Sequence, residues 1–214
     1  MLRLDAGATQ HALGIAASMA CGLMAAQEGA MTKRLHSGHA GQAGALAALL
    51  AQRGYTGIPD ALEKSKGGFL NTYSDRPAPE CLTAGLGSHW ETLAIGFKAY
   101  PTVSLVHSPV KLLGSIMREQ RLQSRDIAGL RVKCGTHAFK HTVWPYRATG
   151  LTEAQMNMYY GLSVMALDGE VFVDQFLVKF HHVLITFLLF IVKAVRSQIV
   201  LRFYFQKGKF LVVF

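Results

Sequence analysis

The stretch MTKRLHSGHAGQAG, residues 31–44, puts Lys33 and His36 three residues apart, with Arg34, Ser37 and His39 beside them. A run of glycines and alanines follows directly and should begin a helix near Ser37. The first backbone N–H groups of a helix have no intrahelical partner and carry its positive end, so they favour an anion. Cations and donors gathered there suit a carboxylate or a phosphate. Taken alone, the same residues also fit a solvated basic loop.

Three other places carry chemistry-bearing groups. Lys98 and His107 bracket AYPTVSLV, the lysine just before a turn-forming Tyr-Pro and the histidine near the start of the next helix. Tyr159 and Tyr160 are adjacent on a helix and so point about 100° apart, one into the core and the other free to offer its phenol to a cleft. HTVWPYRATG, residues 141–150, reads as an exposed or cleft-edge loop, anchored by Trp144 and offering Arg147 as a fork for a carboxylate. Each has a plainer alternative: a solvated lysine, a capping histidine, a packed tyrosine, a loop pinned by its aromatic rings. No phosphate-binding glycine loop, dinucleotide fingerprint, GxSxG elbow or HExxH pair occurs. Cofactor-free chemistry or simple binding is what remains.

These groups must be positioned by mostly helical elements. Residues 9–27, rich in Ala and Met, read as a buried helix in which Gly14 and Gly22 allow close approach. After a loop over 28–39, AGQAGALAALLAQRG reads as a second helix stopped by Gly54. Pro59 should open a short helix, and GGFLNTYS another short turn or helix, before a loop with Pro77 and Pro79. The pattern then becomes mixed. LAIGFKAYP reads as a strand or extended entry, SPVKLLGSIMREQ as a helix, and IAGLRVKCG as an alternating, half-buried strand. Thr152 and Gln155 of TEAQ form a capping box that opens a helix through MNMYYGLSVMAL.

Composition narrows the function classes. The net charge of +9 invites a nucleic-acid role, but residues 177–214 hold six basic and no acidic side chains. The other 176 residues carry 16 basic and 13 acidic side chains, a near balance that removes most support for nucleic acid. Cys21, Cys81 and Cys134 are odd in number and widely spaced, which argues against a disulfide framework and a structural zinc site and suits the cytoplasm. The N-terminal apolar run is interrupted by Asp5, Gln10 and His11, so it reads as a packed helix rather than a signal peptide. The tail has three readings: a buried hairpin, a membrane-surface segment, or sequence not selected for this fold. Its apolar run from Val183 to Val192 is ten residues, short of the roughly 20 that span a bilayer, so membrane association ranks last.

In order along the chain, GIAASMACGLMA, TKRLHSGHAGQAGALAALLAQRGYTG, GGFLNTYS, IGFKAYPTVSLVH and TEAQMNMYYGLSVMALDG resemble the MmgE/PrpD family. That family includes 2-methylcitrate dehydratase, cis-aconitate decarboxylase and iminodisuccinate epimerase. The resemblance implies a mainly α protein with an α+β part. Residues 1–95 would belong to a large all-helical domain, 96–176 to an incomplete α+β lid domain, and 177–214 to an atypical apolar basic tail. It further implies a homodimer with no metal or other cofactor, acting as a hydro-lyase on a small di- or tricarboxylate such as a 2-methylcitrate-like hydroxy acid. By motif position Lys33 matches the family's active-site lysine, with His36 in the same motif. Lys98, His107 and Tyr160 match the lysine before the Tyr-Pro turn, the histidine of the next helix and the tyrosine of the helical A-x-x-x-x-x-Y pattern, so that Lys33 and these three are the expected catalytic residues. Arg147, from its own loop, is a further expected substrate contact. Thr102 and Val103 depart from it, since many members carry Cys-Cys there and some a histidine. The family's long N-terminal helical region, which carries acid–base residues, has no counterpart before residue 10. The chain therefore reads as a central fragment, and the alternative is an inactive remnant or one half of a split enzyme.

Overall fold

The computed structural model describes residues 2–177, 190–195, 198–203 and 210–213. The described chain is mainly α with an α+β part, as expected, and forms two compact units. One holds Met1–Met24 and Thr32–Gly96, the other Ala25–Met31 and Phe97–Phe214.

In the first unit, α1 (Ala6–Ser18) is started by Asp5, whose Oδ1 accepts the Ala8 N–H at 2.7 Å. The helix expected over 9–27 ends at Ser18, and the chain turns through Gly22, whose φ of 146° is glycine territory. The 3-10 turn Met24–Glu28 that follows belongs, from Ala25 on, to the second unit. The second helix, α2 (Thr32–Gln52), starts well before residue 40, so most of the expected loop is helical. Its end is where the sequence placed it. Gly54, at φ 83°, donates to Ala51 O, and Tyr55 N–H closes back onto Leu50 O. Small residues set the packing: Ala47 and Ala51 are buried with Ile15, while Leu35, Leu46 and Leu49 on α2 stay exposed. Gly14 does allow a close approach, to the 57–58 backbone rather than to another helix. Pro59 opens turns, not a helix, whereas GGFLNTYS yields α3 (Phe69–Tyr73).

The second unit is built on α4 (Ser104–Glu119), whose Val106, Val110, Leu113 and Met117 repeat at helical spacing and are buried. The helix begins four residues earlier than SPVKLLGSIMREQ suggested. β1 (Ile127–Lys133) is the predicted alternating strand. Ile127, Leu130 and Val132 are buried, and the change of parity between the first and the others coincides with a bulge between Ile127 and Gly129. α5 (Thr136–Thr142) comes next. TEAQMN does not make one capped helix. α6 (Leu151–Met156) starts after Gly150 without a side-chain cap, and α7 (Met158–Asp168) is capped by Asn157, whose Oδ1 accepts the Tyr160 N–H at 3.2 Å. α4 and α7 meet at Gly161, where a Cβ would lie 2.8 Å from Val106 Cγ1.

After α8 (Asp174–Leu177) come β2 (Phe190–Val195), β3 (Gln198–Phe203) and β4 (Phe210–Val213). The sheet order is β2-β3-β1-β4, with β1 antiparallel to β3 and parallel to β4. A hairpin was one expectation for the tail, and β2 pairs antiparallel with β3. Residues 178–189, 196–197 and 204–209 lie outside the described residues. Among those described, no helix is long and apolar enough to cross a membrane.

Candidate functional site

The candidate residues fall in both units. In the first, Lys33, Arg34 and His36 lie within the first two turns of α2, since the helix starts at Thr32. Two cations in a first turn oppose the helix dipole, so helix stability does not explain them. The turn after α1 brings Gly22 against the His36 ring, where a Cβ would stand 3.4 Å from Nδ1. It also brings Cys21 Sγ to 3.8 Å from His39 Nδ1. Sequence spacing carried no sign of this Cys21–His39 contact, because it depends on the reversal at Gly22.

In the second unit, Lys98 and His107 converge. Lys98 Nζ donates to Thr102 O at 3.3 Å, and His107 Nε2 is 3.4 Å from the same oxygen. The Tyr-Pro turn folds the lysine back onto the start of α4, and the Tyr100 ring meets His107 edge-on at 5.3 Å. Val103 N–H donates to Gln155 O at 2.9 Å, which fixes this corner to the end of α6. Two nitrogen donors focused on one oxygen form an arrangement that can also serve a carboxylate or an enolate oxygen. Thr102 and Val103, where the sequence departs from the family pattern, are the residues at this focus.

Tyr160 is placed differently from the sequence expectation. Neither of the adjacent tyrosines faces a cleft: Tyr159 is 3% exposed and Tyr160 fully buried. The Tyr160 hydroxyl donates to Gln175 O at 2.6 Å, and its ring lies between those of Tyr146 and Phe176. The helix is apolar all round, so both directions from it lead into packed side chains. Burial pushes the Tyr160 phenol up to about 12, with the Asp168 charge adding to it. Tyr159 is likewise pushed up to about 12 by burial, then by Cys134, and burial raises Tyr146 further. Raised acids keep their protons in the fold while the unfolded chain loses them near 10. The stability they contribute is therefore complete below about pH 10 and lost as pH rises through about 12. A phenolate absorbance titration should show these tyrosines ionising late and together with unfolding; three normal, independent titrations would contradict the packing.

Arg147 is exposed, but its guanidinium turns toward its own chain, with Nε 3.7 Å from Glu153 Oε1. Glu153 was not anticipated from the sequence. It is fully buried, and its carboxylate accepts the Arg147 N–H, the Thr149 N–H and the Thr149 hydroxyl, each at 2.8 Å. Ala148 between them adopts a left-handed φ of 56°, which turns both N–H groups to one side. Asn157 Nδ2 donates to Trp144 O at 2.8 Å, so Glu153 and Asn157 together hold the 144–149 loop that Trp144 was expected to anchor.

Residues 1–82 match the MmgE/PrpD N-terminal domain and residues 100–181 the MmgE/PrpD C-terminal domain. The chain belongs to the MmgE/PrpD family. Among relatives of this MmgE/PrpD chain, a cis-aconitate decarboxylase of Aspergillus terreus (strain NIH 2624 / FGSC A1156) is 36% identical over 189 residues, covering 82% of this chain. A cis-aconitate decarboxylase-like protein, oryM, of Aspergillus oryzae (strain ATCC 42149 / RIB 40) is 34% identical over 192 residues. The chain spans 39% of the length of each of these relatives.

Proposed function

We propose that this MmgE/PrpD chain is part of a cofactor-independent lyase acting on a small di- or tricarboxylate. Its reaction is the loss of carbon dioxide from a cis-aconitate-like acid. The identity to proteins named cis-aconitate decarboxylase carries the choice of a carboxy-lyase over the hydro-lyase expected from sequence. Both reactions pass through the same electronic problem. Breaking the carbon–carboxylate bond leaves its electron pair on carbon, conjugated with a remaining carboxyl group. Removing a proton next to a carboxylate before hydroxide leaves does the same. Cations and fixed N–H donors stabilise that charge as it forms. Lys33 and Lys98 neutralise substrate carboxylates, with His36 and Arg147 as further contacts. His107 orients the substrate or returns a proton to the carbanionic carbon, whereas Tyr160, enclosed and bonded to Gln175 O, supports the packing behind α4 rather than reaching substrate. The enzyme would be a cytoplasmic homodimer whose turnover is indifferent to chelators.

The test compares carbon dioxide release from cis-aconitate with water loss from 2-methylcitrate by one preparation. Lys33→Ala and Lys98→Ala should each lower kcat/KM for the true substrate by about 100-fold or more, in line with the removal of one preorganised charge-stabilising donor. Retention within a few-fold would reject the charge-stabilising role, and turnover of 2-methylcitrate alone would return the assignment to a hydro-lyase.

A further inference from the structure

We propose that His137 and His141 form a surface chelate for a borderline divalent first-row ion, Cu²⁺, Ni²⁺ or Zn²⁺, with Gln27 holding the ring of His141 in the ligating tautomer. The two histidines are four apart on α5, and residues at that spacing share a helix face. Their ring centroids are 4.2 Å apart with the planes at 51°. Imidazole nitrogens bind such ions at about 2.0–2.1 Å, so two rings this close are within reach of one ion. His137 is exposed and His141 half-buried, which leaves the pair open to solvent on one side and supported on the other.

The support is Gln27. Its amide nitrogen, Nε2, lies 2.9 Å from His141 Nδ1, the orientation in which Gln27 donates to the ring. It comes from the 3-10 turn Met24–Glu28, 114 residues earlier, so tertiary packing maintains the contact. The oxygen and nitrogen of a glutamine amide exchange places by a half-turn of the group. With its oxygen toward the ring, Gln27 accepts the Nδ1–H of His141 and leaves the Nε2 lone pair directed away from the contact. Ligating histidines have just such a carbonyl or carboxylate behind them.

Ligand chemistry selects the ion. Two neutral imidazoles with Lys140 on the same helix offer nothing to Mg²⁺ or Ca²⁺, which want carboxylates, and suit ions with an affinity for nitrogen. Among the described residues no group of three or more His, Cys, Asp or Glu gathers, so the bound ion keeps open positions for water. The site is therefore an exchangeable one, with Cu²⁺ held most tightly of the three. It is independent of the lyase assignment.

The experiment is a calorimetric titration of the full chain, prepared without a histidine tag, with CuCl₂, NiCl₂ and MgCl₂. Histidine ring proton resonances are followed in parallel. The wild type should take up one more equivalent of Cu²⁺ than the His137→Ala/His141→Ala variant, and the ring signals of these two residues should broaden first. Gln27→Ala should lower the affinity of that equivalent by about 10-fold while leaving the stoichiometry, as loss of a group behind a ligating histidine does. Mg²⁺ should produce no heat at this site, and acidification should release the ion because protonated imidazole cannot ligate. Equal stoichiometry in wild type and double variant would overturn the proposal. So would loss of that equivalent on His39→Ala, which would move the site to the Cys21–His39 contact. His137→Gln, on an exposed position, repeats the test if the double variant proves unfolded by circular dichroism.

Discussion

Glu153→Ala should lower the stability of the second unit by about 3 kcal/mol, because it strips one acceptor group from several donors at once. The Arg147 N–H, the Thr149 N–H and the Thr149 hydroxyl all end on this fully buried carboxylate. Water entering the gap would repair part of the loss at the exposed end of the loop, which is why the figure is not the sum of three orphaned donors. Ala148 is held at φ 56° by the same bonds, so the loop would also relax toward ordinary backbone conformations. Glu153→Gln should fall between, since it keeps one acceptor oxygen and places an NH₂ group toward the remaining donors. Urea unfolding followed by Trp144 emission and by amide exchange in α6 and α7 reads the effect. A loss below about 1 kcal/mol would mean that solvent satisfies the loop in the native state, and Glu153 would then be no clamp.

Gly14→Ala and Gly57→Ala should each destabilise the first unit by about 2–4 kcal/mol, although at Gly14, inside α1, alanine is the better helix former by about 1 kcal/mol. A Cβ at Gly14 would overlap the carbonyl oxygen of Ile58 and stand 2.6 Å from its nitrogen. One at Gly57 would overlap His11 O and stand 2.7 Å from Ile15 N. These neighbours are backbone atoms, so no rotamer change relieves the overlap; α1 must move off the 57–58 segment. The core there is small, with Ile15, Ala47 and Ala51 as its buried members, and little else can compensate. Both substitutions break one contact, so the double variant should cost clearly less than the two single costs added. Thermal melting of the three variants checks this. A neutral or stabilising Gly14→Ala would show that helix propensity outweighs the close approach.

Much of the architecture is readable from short-range pattern. The alternation in IAGLRVK, the helical spacing of apolar residues before Met117, and the stop at Gly54 follow from periods and φ preferences within a few residues. The ordered motif blocks carried the family assignment, which the domain matches bear out. α2 starts earlier than the pattern suggests for a physical reason: a first turn bearing Lys33 and Arg34 opposes the helix dipole and resembles a loop. TEAQ has Thr and Gln at capping-box spacing, yet Asn157 does the capping, since the chain breaks between α6 and α7.

Residue types and their order single out Lys33, Lys98 and His107 as candidates and place them on or beside helices. What each polar group meets was settled by the folded chain. Lys98 and His107 share the Thr102 oxygen because the Tyr-Pro turn doubles back. Tyr160 is enclosed because its helix is packed on every side. Glu153 gathers a loop, and Gln27 reaches His141 across 114 residues. Periodicity and propensity act over one or two turns of chain, whereas a buried carboxylate or a paired imidazole answers to whichever donors packing brings within 3 Å or so, and that depends on every element at once.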